Sequence, residues 1–160
     1  MDCDDRRRLP VPNPNAGVAY IHYSVADGLV TGVSFSHLLQ RGPKAELPGP
    51  KFLAIQQTLL RNYGPVIGGL EAAALLFALL LAVVVRTRPS LVYLAGGAAT
   101  CLALMIAIWA FWINPINKTI NTWTDESLPP DWAKFRDRWH TLHAVRLILS
   151  LLGLRRAAIL

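Results

Sequence analysis

The sequence predicts an all-α integral membrane protein, an up-and-down four-helix bundle, and three observations carry that prediction. Residues 65–85, PVIGGLEAAALLFALLLAVVV, and residues 90–113, SLVYLAGGAATCLALMIAIWAFWI, are apolar runs separated only by Arg86-Thr87-Arg88-Pro89. At about 1.5 Å of rise per residue, either run covers a hydrocarbon core of roughly 30 Å. A soluble domain of 160 residues has no interior in which to hide two such helices on every side. The third observation is that two further segments, about 17–40 and 134–154, have the length or pattern of helices and flank this pair.

Composition narrows the partners. The formal charge is +6, the pI about 9.8 and the mean hydropathy +0.36. Arg86, Arg88, Arg155 and Arg156 sit beside apolar segments, so the basic excess points to anionic lipid headgroups. No RNA- or DNA-binding motif accompanies it, and nucleic acid is excluded as a partner. Cys3 lies in a polar tail and Cys101 inside an apolar run, so they form no disulfide framework. The opening MDCDDRRRLPVPNPNAG has no apolar core with a small-residue cleavage site, and it is not a secretory signal.

Taken in order, residues 1–16 read as a disordered tail, because DDRRR is followed by prolines at 10, 12 and 14. Residues 17–160 then form a single membrane domain with helices at about 17–40, 65–86, 90–114 and 134–154. The first is poor in hydropathy, carrying His22, Asp27 and His37, but Gly28, Gly32 and Ser36 make a small-residue ridge for close helix approach. Residues 41–50, RGPKAELPGP, read as a loop. KFLAIQQTLLRNYG then reads as a short amphipathic interfacial helix between the first two membrane helices. Phe52, Leu53, Ile55, Leu59 and Leu60 form its apolar side, and Lys51, Gln56, Gln57 and Arg61 its polar side. Asn114-Pro115 marks a kink or boundary near the end of the third helix. In the fourth, only the part from about Leu142 is apolar enough for lipid.

Orientation follows from lysine and arginine. The N-tail, the Arg86–Arg88 turn and the C-tail share one side of an up-and-down bundle, which puts both termini in the cytoplasm. Arg41, Lys44, Lys51 and Arg61 in the first connection argue the other way. The preference for Arg and Ala over Lys suggests a GC-rich bacterial genome, hence a bacterial inner membrane.

Alternating helix direction also has a chemical consequence. His37, Gln40, Glu71, Asn114, Asn117, His140, His143 and Arg146 all fall at the same membrane face, together with Trp109, Trp112, Trp123, Trp132 and Trp139. A polar cluster inside one end of an apolar bundle is how membrane proteins build a site. Glu71 lies about six residues inside its helix, where an unpaired carboxylate costs about 2.5–3.5 kcal/mol on insertion scales. It either forms a structural ion pair with Arg146 or serves binding or catalysis. His140 and His143, three apart, share a helix face, so His37, Glu71, His140 and His143 are candidate ligands for zinc, iron or copper. The same groups equally suit a ligand pocket without metal. Asn114, Asn117 and Asn121 share a face as either helix-end caps or substrate contacts. The tryptophans read most simply as an interfacial belt. No GxSxG, Walker, Rossmann or CxxC pattern is present, so hydrolase, NTPase and nicotinamide-enzyme readings have no support.

The order of GLVTGVSFSHLLQRGPK, FLAIQQTLLRNYG, the helix bearing Glu71, WINPINKTINTW and RWHTLHAVRLILSLLGL resembles the anthrone-oxygenase-like family of small four-helix membrane proteins. The resemblance covers about Gly28 to Gly153. It implies O₂-dependent oxidation of an anthrone to the anthraquinone, with no established organic cofactor. Asn117, Trp139, His143 and Arg146 sit at motif positions, and His140 where a variable polar residue is expected. The segment before Asp27 departs from the longer, more apolar first helix of the family.

The resulting expectation is a membrane oxygenase acting on an apolar aromatic substrate that is anthrone-, phenol- or quinol-like. His143 is the expected base, His37 an alternative base or ligand, and Glu71 orients or charge-balances a histidine. Arg146 and Asn117 hold the developing oxyanion, Asn114 is a further substrate contact, and Trp109, Trp112 and Trp139 stack on the rings. No cofactor is required by this chemistry, although a transition metal would fit the histidines. The alternative is a non-catalytic membrane protein that binds a lipid or quinone, or a subunit of a homo-oligomer or larger complex. On that alternative a Glu71–Arg146 pair fills the cluster and leaves no cavity. A transporter ranks third, for want of inverted repeats.

Overall fold

The computed structural model describes residues 14–59, 61 and 63–157, and within them every regular element is helical. The helices are α1 (Pro14–Leu39), α2 (Arg41–Ala45), α3 (Gly49–Leu59), α4 (Tyr63–Val84), α5 (Pro89–Ile108), α6 (Asn114–Ile120) and α7 (Trp132–Ala157). A π-helical turn, Trp109–Ile113, joins α5 to α6. The expected disordered tail falls largely outside the described residues, and residues 14–16 open α1. Leu60 and the side chain of Leu59, expected on the apolar side of α3, also lie outside them.

Among the described residues two stretches are long and apolar enough to cross a membrane: Tyr63–Val84, and the continuous helical run Pro89–Ile120. The long helices close into a ring, with α1 and α5 each packing on both α4 and α7. Neighbours run antiparallel. Ala19 at the start of α1 clusters with Leu81 at the end of α4 and Val85 just beyond it, whereas His37 at the end of α1 meets Tyr63 at the start of α4. Gly153 late in α7 lies beside Cys101 in α5, while Trp139 early in α7 reaches Asn117 in α6.

Alanines bring the helices together. Ala26, Ala74, Ala78, Ala98 and Ala99 form the buried centre, and Tyr23, Leu102 and Met105 fill the space between them. The Gly28–Gly32 part of the expected ridge faces outward instead, and a side chain at either glycine would meet nothing within 4 Å. Close approach therefore runs along the alanine face. Ala74→Leu is expected to lower stability by about 1–3 kcal/mol through overpacking, and Gly32→Leu not to lower it at all. Thermal melting of the two variants in detergent separates these outcomes.

The first connection departs from the expected loop. Pro43 and Pro50 fall in the first turns of α2 and α3, where a missing N–H breaks no intrahelical bond, so both segments are helical. The apolar side of α3 turns inward rather than toward an interface. Phe52 and Leu53 are buried against Ile113, Ile116, Ile120 and Trp139, and Trp132 stacks on Phe52 at 5.4 Å between centroids. Gly49 permits this seat, since a Cβ there would collide with Leu128 and press on the Trp132 ring. Trp123 likewise packs edge-on against Phe135, so these two tryptophans are part of the cap's packing rather than a belt.

Candidate functional site

A cavity of about 890 Å³ opens at the end of the ring beneath α3. Its position follows from the helix directions: the end of α1, the start of α4, the π turn with α6, and the start of α7 all meet there. His37, Glu71, Trp109, Asn114, Asn117, Trp139, His143 and Arg146 line it, eight of the nine positions expected to act on substrate.

Trp112 is the exception. It is 45% exposed, outside the cavity, with its ring edge-on to Phe111. The cause lies three residues downstream. Pro115 has no N–H, and in a regular α-helix its ring would clash with the carbonyl of Phe111. Widening the preceding turn to i→i+5 bonding, with the Asn114 N–H donating to the Trp109 carbonyl, relieves the clash. In the wider turn, residues three apart no longer share a face. Trp109 stays on the cavity wall and Trp112 turns out.

The charged core of the site is one ion pair. The Arg146 guanidinium, through Nη2, donates to Glu71 Oε1, and both side chains are almost fully buried. Glu71 therefore holds Arg146 and does not orient a histidine. Arg146 Nε is buried without a partner.

The histidines instead contact aromatic rings. His37 and His143 lie 4.3 Å apart between centroids, with Trp139 at 4.9 Å from the first and 4.1 Å from the second. The Nδ1 of each is buried with no hydrogen-bond partner, and no carboxylate faces either ring within pairing distance among the described residues. His140 points elsewhere. It is buried edge-on to Trp139, off the cavity, with neither nitrogen bonded. Among the described residues no three His, Cys, Asp or Glu side chains gather as a metal ion would require, so the four candidate ligands are not brought together.

Sequence reasoning overlooked part of the wall. Ser34, Gln56, Gln57, Arg61 and Tyr63 line the cavity, and Gln56 is almost fully buried. By sequence, Gln56 and Gln57 fall on the polar side of an interfacial helix. With α3 folded over the ring, that face looks into the cavity. Gln57 Nε2 donates to the carbonyls of Ile120 and Trp123, tying α3 to α6.

Two donor-only groups fix the polarity of the wall. Trp139 Nε1 donates to Asn117 Oδ1 at 2.9 Å, and Lys44 Nζ donates to Gln56 Oε1 at 3.3 Å. Lys44 is itself buried, with Nζ 5.4 Å from the Trp139 ring centroid. Burial pulls its pKa from the ordinary 10.5 down to about 8. Between these values the unfolded chain carries a proton that the folded chain does not, so stability rises with pH across this window. Below about 8 both states are protonated and the destabilisation of the buried cation is constant. Melting temperatures of the wild type are expected to climb from about pH 8 to about pH 10, and those of Lys44→Met to lose this slope.

No curated protein and no solved structure matches the chain. A family model does, the anthrone oxygenase family, over residues 59–154 of the 160. The matched span contains Glu71, Trp109, Asn114, Asn117, Trp139, His143 and Arg146, while His37, Lys44 and Gln56 precede it. With that match over more than half its length, the chain belongs to the anthrone oxygenase family.

Proposed function

We propose that the protein is a four-helix bundle embedded in a membrane, oxidising an apolar aromatic ketone or phenol of the anthrone type with O₂. The surface supports the embedding. Val18, Ile21, Val25 and Leu29 on α1, Leu76, Leu79 and Val83 on α4, and Ile148 and Leu151 on α7 are all exposed. Such apolar area on three long helices calls for lipid. The positive-inside rule, applied to the arginines that flank the apolar runs, supports a reading with both termini in the cytoplasm and the cavity toward the opposite face.

The observation that carries the chemistry is the joining of two carboxylate-free histidines, Arg146 and aromatic walls on one cavity, in a chain of this family. The alternative of passive binding expected the Glu71–Arg146 pair to fill the cluster. The pair forms, but about 890 Å³ remains open beside it, within the range of small-molecule sites.

In the proposed reaction His143 Nε2 removes a proton from the activated methylene, and the electron pair enters the ring system as an enolate. Arg146 and Asn117 hold the oxygen on which that charge settles, while Trp109 and Trp139 pack on the rings. The enolate passes one electron to O₂, and the radical pair combines into a C–O bond. The imidazolium returns its proton to the peroxide. Loss of the remaining methylene hydrogen with cleavage of O–O then yields the quinone carbonyl and water. Four electrons leave the carbon for each O₂ consumed, with one oxygen retained as the carbonyl and one released as water. Oxygen uptake by membranes holding the protein, supplied with an anthrone, tests the reading: uptake matched one-to-one by quinone supports it, and none above control membranes refutes it.

A further inference from the structure

We propose that Gln56 is a second substrate-oxygen donor beside Asn117, and that Lys44 is the positioning residue that turns its amide nitrogen into the cavity. This rests on the oxygenase reading for the class of ligand, although the donor pair itself follows from hydrogen-bond polarity.

An amide side chain is symmetric in shape, and its orientation is settled by its partners. Lys44 Nζ has only protons to offer, as has Trp139 Nε1. Whatever faces them must be oxygen, so Gln56 Oε1 faces Lys44 and Asn117 Oδ1 faces Trp139. The opposite side of each amide is then its NH₂. Both residues line the cavity, and among the described residues neither nitrogen has a protein partner. Arg146, held by Glu71, adds a cation to the same wall. The cavity thus presents donors from α3, α6 and α7 to whatever occupies it. A ligand that satisfies them carries oxygen acceptors on a flat apolar body, such as a keto or phenolate oxygen of a fused aromatic system. Lys44 and Gln56 lie on α2 and α3, before the matched span.

The polarity argument has a sharp test. Alizarin, a hydroxyanthraquinone whose phenol and phenolate absorb at separate wavelengths, is titrated into the detergent-purified full chain. Donor groups favour the phenolate, so bound alizarin is expected to ionise at lower pH than free alizarin. Gln56→Glu keeps size and the Lys44 contact but replaces the cavity-side NH₂ with an acceptor. It is expected to weaken binding about tenfold or more and to reverse the ionisation shift. Lys44→Arg, still donor-only, should retain the shift. Lys44→Glu should draw the Gln56 NH₂ to itself, present Oε1 to the cavity and abolish the shift, although residue 44 does not touch the ligand. Melting curves identify any variant that has lost its fold, and the Arg and Glu pair at residue 44 then decides. Equal affinity and shift in Gln56→Glu and wild type overturn the donor assignment while leaving oxygen uptake, and with it the oxygenase reading, intact. A wild-type shift without uptake of O₂ on an anthrone overturns the oxygenase reading and leaves the donor pair standing.

Discussion

Arg146→Ala is expected to destabilise the protein by about 3–5 kcal/mol, the cost of leaving a buried carboxylate without its partner. Glu71 is 2% exposed and Arg146 4%, and each is the other's only ionic contact among the described residues. Glu71→Gln should cost less. Its amide oxygen still accepts from the guanidinium, and Arg146 borders the cavity, where water can reach part of its charge. The double variant Glu71→Leu, Arg146→Met removes both charges while keeping volume, and apolar replacements of buried pairs are commonly neutral or stabilising. We therefore expect stability within about 1 kcal/mol of wild type and loss of alizarin binding. That contrast divides the two roles the pair could have. A double variant that melts normally but cannot bind or oxidise assigns the pair to function. One that binds normally assigns it to structure, and an Arg146→Ala protein as stable as wild type would contradict the buried pairing itself.

Hydropathy averages were a good guide to α4 and α5 and a poor one to α1, for a physical reason. α1 is amphipathic with its polar side inward: Tyr23, Asp27, Ser34 and His37 are buried, and Val18, Ile21, Val25 and Leu29 face out. Averaging over both faces hides a helix whose outer stripe is apolar but for His22. The same inversion applies to Gln56 and Gln57, which the sequence puts on the polar side of an interfacial helix, since amphipathicity shows that a helix has two sides but not which side meets the protein. Convergence of His37, Glu71, Asn117, His143 and Arg146 was legible because alternating direction alone determines which helix ends meet. Pairing was only partly legible. Spacing does not choose between a carboxylate facing histidine and one facing arginine, and in the folded chain Glu71 faces Arg146. Trp112 was misplaced although its cause, Pro115, stands in the sequence. By sequence Asn114-Pro115 marks a kink or boundary, whereas the widened turn keeps the helical run continuous and rotates the side chains before it.

His143→Ala is expected to lower kcat about 10²–10⁴-fold with little change in KM, the pattern of a group that acts as the barrier is crossed. His37 lies against it at 4.3 Å and borders the same cavity, so the geometry admits either ring as the base. Position favours His143. It stands one helical turn from Arg146 on α7 and in contact with Trp139, so a proton abstracted there leaves its charge beside the cation and the donors. His37 is on α1, across the cluster from that pair. The order of effects should follow: His143→Ala far below His37→Ala in kcat, with the double variant no worse than His143→Ala if one proton transfer is at stake. An anthrone deuterated at its methylene should react more slowly in His143→Ala by a full primary isotope effect, because C–H cleavage becomes rate-limiting once the base is gone. The cavity vacated by the ring admits free imidazole, and added imidazole should restore part of the rate in His143→Ala but none in Arg146→Ala. If His37→Ala shows the larger loss and the imidazole rescue, the base is on α1, and α7 supplies only the charge that receives the enolate.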